Sequence, residues 1–185
     1  MNRKIKMMIV VLAVVLAVFV SRSTLAFDST VGKATNVVTS GNIQLAIHEH
    51  TADGEVFPEE GVYVIPGDVV SKRVTIENIC SQPFYLRVKL VTGVAGESTP
   101  ADALLRMDLN TEYWVQHEDG YLYYTEILKP GQTTESVFTH VEIVGDHVDQ
   151  THLGKTLTLS VTAQAVQSKN NPADDPWDAS GWPAE

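Results

Sequence analysis

Two histidines flank a glutamate at His48-Glu49-His50. In an extended chain residues i and i+2 point to the same side, so both imidazoles can approach one divalent ion from the face opposite Ile43, Leu45 and Ile47. A third ligand would have to come from elsewhere, and the competing reading is a solvated strand face, where such residues are common. A second gathering, Gly145 to His152, holds Asp146, His147, Asp149 and His152. Its aspartates suit turn capping, and the calcium-loop pattern ending in glutamate is not met. The nucleophile elbow, the phosphate loop, the dinucleotide fingerprint and HExxH are all missing. No catalytic residue and no cofactor are assigned; His48, Glu49 and His50 are the candidate ligands should a divalent ion bind.

Aromatic residues Tyr113, Trp114, Tyr121, Tyr123 and Tyr124 crowd one short region. Rings of this kind stack on sugars, face a partner, or pack across strands within a core. Cys80 is the single cysteine, so no intrachain disulfide forms, and a small inert core residue beside Ile79 is expected.

The elements that position these residues are strands. Ile43, Leu45 and Ile47 alternate with polar neighbours, as do Val70, Val74 and Ile76, then Phe84, Leu86, Val88 and Leu90, and finally Leu157, Leu159, Val161, Ala163 and Ala165. A period of two places one apolar row on each inner face and leaves the other face wet. Pro66-Gly67-Asp68, Asp119-Gly120 and Pro130-Gly131 supply turn chemistry, and Asp119-Gly120 between two aromatic runs is the strongest hairpin signal. Gly93–Pro100 reads as a loop, and Ala101–Met107 as one short helix. Many strands and short turns predict an all-β, antiparallel two-sheet sandwich over residues 41–167.

The N-terminus is organised differently. Arg3, Lys4 and Lys6 precede an uncharged apolar run from Met7 to Val20. As a helix that run rises about 21 Å, short of the ~30 Å hydrocarbon core. Residues 1–26 therefore read as a signal peptide, with Thr24-Leu25-Ala26 placing a cut between Ala26 and Phe27. The membrane is met only transiently, through that segment. The remaining chain has nine basic and twenty-three acidic residues, a net charge of −14. Such a surface repels nucleic acid and anionic membranes.

Residues 27–40 form an arm ahead of the sandwich. Phe27, Ser29, Val31, Lys33, Thr35 and Val37 share one face of an extended arm, and Lys33 interrupts its apolar row. Residues 168–185 combine three prolines, four acidic residues and no periodicity, which predicts a flexible tail. Trp177 and Trp182 stand out there, as anchors for a partner or for folding back onto the domain.

The junction TLAFDSTVGKATNVVTSGNIQL, the segment PGDVVSKRVTIENICSQPFYLRVKL at 66–90, DGYLYYTEILKPGQTT at 119–134 and TLTLSVTAQAVQ at 156–167 together resemble the TasA/camelysin-like exported proteins of Gram-positive bacteria. The resemblance implies a jelly-roll sandwich, secretion to the matrix or cell surface, and processing by a dedicated signal peptidase. It also implies a non-enzymatic fibre subunit of a biofilm matrix whose partners are further copies of itself or related subunits. The freed arm, with Phe27, Val31, Thr35 and Val37, would act as a donor strand completing a neighbour's sheet. Two alternatives remain open: a camelysin-like metallopeptidase using His48, Glu49 and His50, and an adhesin binding carbohydrate through the tyrosine-rich hairpin.

Overall fold

The computed structural model describes residues 25–27, 43–59, 61–95, 102–147, 152 and 155–183. Eleven strands follow in order: β1 (Leu25–Phe27), β2 (Leu45–His50), β3 (Val62–Val64), β4 (Val69–Ser71), β5 (Arg73–Asn78), β6 (Phe84–Val94), β7 (Leu105–Met107), β8 (Trp114–Gln116), β9 (Leu122–Tyr124), β10 (His140–Ile143) and β11 (Leu157–Gln167). Every ladder is antiparallel. The all-β sandwich expected from the alternation is what the chain forms.

One layer has strand order β11-β6-β9-β8. The facing layer is assembled from β2-β5 and β4-β10-β7. The chain passes from the second of these ladders to the first at Lys72, between β4 and β5. The segment before β10 follows alongside, with Thr134 N donating to Ile76 O at 2.9 Å and Val137 N to Val74 O at 2.8 Å. Between the layers lies a continuous apolar core that includes Val74, Ile76, Leu86, Val88, Trp114, Phe138, Val141, Leu157 and Leu159. Val74, Ile76, Leu86, Val88, Leu157 and Leu159 are inner-row residues of the period-two pattern, removed from water because their strands present them to the opposite sheet, while Phe138 joins them from the segment before β10.

Gly120, at φ +81°, closes the hairpin between β8 and β9. Only a residue without a Cβ takes that conformation cheaply, which is why the Asp-Gly pair marks the turn.

Three local expectations are corrected. Gly93 and Val94 belong to β6, because Leu157↔Val94 and Thr158↔Gly93 continue its ladder with β11. Ala101–Met107 holds no helix over its described residues: a turn leads into β7, where Leu105 and Met107 pair with Ile143 and Val141. Residues 168–183 are not a free tail. They fold across the outer face of β6 and β11, where Tyr85, Val166 and Ala179 form a second apolar cluster joined by Ala173 and Trp182. The tryptophans supply the contact area that a charge-and-proline reading of the tail leaves out.

Candidate functional site

The His48-Glu49-His50 triplet does not converge. The histidines do share a face, with ring centroids 6.1 Å apart, and His48 Nε2 lies 2.8 Å from Glu77 Oε2 on β5. Glu49 belongs to the opposite row, which continues Ile43, Leu45 and Ile47 inward. Its Oε2 lies 3.1 Å from Nζ of Lys72, which is fully buried. Among the described residues no three His, Cys, Asp or Glu side chains gather to hold a metal ion. Of the second gathering, Asp146 and His147 lie in an exposed 3-10 turn, and Asp149 falls outside the described residues.

Lys72 Nζ also lies 4.5 Å from the Phe57 ring centroid. Burial pushes the Glu49 carboxyl up and the Lys72 amine down, and each charge only partly offsets the other's desolvation. This pair was missed from sequence although the signal was there: Glu49 follows Ile43, Leu45 and Ile47 at even spacing, and Lys72 sits between Val70 and Val74. Two opposite charges in inner rows of neighbouring strands call for each other.

The tyrosine-rich hairpin is buried as well. Trp114, Tyr121, Tyr123 and Tyr124 are all buried, and Trp114 Nε1 donates to Glu135 O at 3.2 Å. Tyr113 is half-buried against Tyr124, with ring centroids 6.4 Å apart. Trp114 and Tyr124 pack in the core, whereas Tyr121 and Tyr123 lie on the outer face, covered by Arg87 and the tryptophans of the C-terminal segment.

Arg87, expected on a wet face, is buried instead. Its Nε and Nη2 donate to Gln164 Oε1 at 2.9 and 2.7 Å, while Nη1 donates to Tyr123 Oη at 2.9 Å and Asp119 Oδ2 at 3.2 Å. The folded C-terminal segment completes the set, with Pro183 O accepting from Nη2 at 3.1 Å. The guanidinium lies between Tyr121 and Trp182, 3.8 and 4.7 Å from their centroids, and Trp177 stacks on His117 at 5.5 Å. Burial works to raise the Asp119 carboxyl, but hydrogen bonds from Tyr123 and the Tyr121 backbone, with Arg87 and His117 nearby, hold it below its ordinary value. Every polar arm of Arg87 is used in this network, whose geometry is that of a structural clasp.

Cys80 is half-buried in the turn after β5, its thiol within 3.0 Å of Asn78 Oδ1 and 3.1 Å of Gln82 O.

At the N-terminal end β1 pairs with β3 through Leu25↔Val64, Ala26↔Tyr63 and Phe27↔Val62. The bond expected to be cut, Ala26–Phe27, therefore lies inside a strand. Val31, Thr35 and Val37 of the arm fall outside the described residues. No helix among the described residues is long and apolar enough to cross a membrane. No protein-family model, curated protein or solved structure matches the chain.

Proposed function

We propose that this chain is an exported structural protein, a subunit of an extracellular matrix or surface fibre that assembles by donating its N-terminal arm after residues 1–26 are removed. The reading rests on the family resemblance, and the observation that supports it is that the bond expected to be cut, Ala26–Phe27, lies within the paired strand β1. Cleavage after Ala26 takes away two of the three residues paired with β3. What is left is a freed arm and a sheet edge with unpaired donors and acceptors. An extended segment from another copy satisfies such an edge through main-chain hydrogen bonds. Head-to-tail donation does not close on itself, so it propagates as a filament. The mature net charge of −14 keeps unassembled copies soluble.

Negative-stain microscopy tests this directly. Protein beginning at Phe27 forms thin filaments, whereas protein that retains residues 21–26 stays monomeric. A mature chain that remains monomeric across concentration, pH and calcium overturns the assignment.

A further inference from the structure

Residues 168–183 lie on the sandwich as a bound peptide would. Asn171 closes the segment on itself: its Nδ2 donates to Ser180 O at 2.9 Å, and its Oδ1 accepts from Ser180 N at 3.0 Å. Within that loop Pro176–Asp178 forms a 3-10 turn, where Asp178 N and Ala179 N donate to Asp175 O and Pro176 O at 3.0 and 3.3 Å. Among the described residues no strand pairs with the segment. Its main-chain shape is therefore set by its own residues.

Side chains make its hold on the body. Trp177 stacks on His117 and meets Tyr123 edge-on, with centroids 5.5 and 6.1 Å apart. Trp182 meets Tyr123 edge-on at 5.4 Å while covering Arg87. Ala179, between the two rings in sequence, packs with Tyr85 and Val166. The outer row of β6 carries Arg87 and Lys89, both over the Tyr121 ring, and the tail carries Asp174, Asp175 and Asp178. In a chain of net charge −14 after removal of residues 1–26, such a cationic row selects an acidic segment.

These contacts are the same whichever chain the segment belongs to. What ties it to its own sheet is the connection from Ser168 to Asn171, where Ser168 N donates to Pro83 O and Asn171 N to Ser168 O, each at 3.2 Å. That turn holds Asn170 at φ +60°, a left-handed conformation that straightening relieves. Four extended residues then carry the segment about 13 Å outward, at roughly 3.3 Å each. The docked state also leaves Trp182 Nε1 buried with no hydrogen-bond partner among the described residues, which lowers the cost of release.

We propose that the outer face around Arg87 is a recognition site for an acidic peptide of the form Trp-x4-Trp-Pro, capped by the chain's own tail, and that the tail of a second copy takes it in exchange. Exchanging an identical segment keeps every contact, which makes a second copy the occupant of least cost. The inference goes beyond the fibre reading and uses neither β1 nor the N-terminal arm.

The experiment uses protein that retains residues 21–26, which the fibre reading keeps monomeric, and a labelled synthetic peptide of residues 171–185. Trp177→Ala with Trp182→Ala empties the face. Fluorescence polarisation should then show the peptide binding about tenfold or more tightly than to the parent, whose tethered tail competes. A peptide with both tryptophans replaced by alanine should not bind. Val166→Asp blocks the face instead: Val166 belongs to the outer cluster, so its carboxylate expels the tail and is hydrated without entering the core. Mixed in equal amounts, the empty-face and blocked-face variants should sediment as a 1:1 dimer, while each alone stays monomeric. If the peptide binds the folded empty-face variant no better than the parent, the tail is held by its tether and the recognition site does not exist. Peptide binding without the mixed dimer overturns the second copy as occupant. Should the double variant not fold, Trp182→Ala alone removes one anchor and carries the same comparison. Filaments of the mature chain, present or absent, leave these outcomes unchanged.

Discussion

Lys72 and Arg87 are both buried cations, yet they are held in different ways. Lys72 lies inside the sandwich, where the chain crosses between ladders, with one carboxylate at 3.1 Å and one ring beneath it. Arg87 lies on the outside of the other sheet and is buried because residues 168–183 fold over it. Its planar fork spreads the charge over Gln164, Tyr123, Asp119 and a tail carbonyl. A point charge with one partner depends on that partner to offset desolvation, whereas a guanidinium distributes the same cost over several hydrogen bonds. The molecule therefore has two interiors, one made by sheet facing sheet and one made by the tail.

The largest effect should come from the second interior. Arg87→Ala strands Gln164 Oε1, leaves Tyr123 with Asp119 as its remaining partner, removes the ring contact of Trp182 and loosens the tail. The expected loss is about 3–5 kcal/mol, the range for removing one partner of a buried charged network. Urea denaturation measures it. In a chain ending at Gln167 the arginine is hydrated, and the same substitution should cost less than half as much. Equal losses in both chains would mean that the tail does not bury Arg87 in solution, and the contrast with Lys72 would lose its basis.

The first interior should respond next, and with a different signature. Glu49→Ala leaves Lys72 buried without its anion and should cost about 3 kcal/mol. Replacing both, as Glu49→Leu with Lys72→Met, should bring stability back to within about 1 kcal/mol of the parent, because apolar groups carry no desolvation cost. The Glu49 carboxyl is raised by burial, so the folded state holds its proton more tightly than the unfolded chain does. Its contribution is therefore greatest at low pH and declines as pH rises above the ordinary glutamate value. The double replacement removes that slope.

These charges also mark how far the sequence could be read. The inner rows of β2, β5, β6 and β11 followed from alternation alone, because a half-buried strand writes its two faces into a period of two. Glu49 and Lys72 stand in line with those rows, but Glu49 reads with its histidine neighbours as a ligand or a solvated group, and Lys72 draws no notice where charge is taken as a sign of water. Arg87 and Gln164 were less accessible. They alternate as outward residues should, and only a segment about eighty residues beyond Arg87 decides that their face is dry. The two tryptophans were the one local hint.

The smallest effect belongs to an exposed carboxylate, which gives the buried one a control of opposite sign. Asp108 follows β7 and closes the end of the β7–β10 ladder: its Oδ1 accepts from the backbone N–H of Thr139 and His140 at 2.8 and 2.6 Å, and its Oδ2 from Thr139 Oγ1 at 2.5 Å. Partial burial works to raise its pKa, but those hydrogen bonds outweigh it and hold the carboxyl at about 2. A depressed carboxylate contributes stability that is present above its unfolded pKa, near 3.9, and is lost as pH falls through its folded value. Its side chain is 47% exposed, so water screens the gain. Asp108→Ala should then cost only about 1 kcal/mol at pH 7, less by pH 3, with Asp108→Asn in between. Denaturant melts at the two pH values decide it. If the loss at pH 3 equals that at pH 7, the ionised carboxylate is not what secures the ladder end, and the opposed slopes expected for Glu49 and Asp108 do not exist.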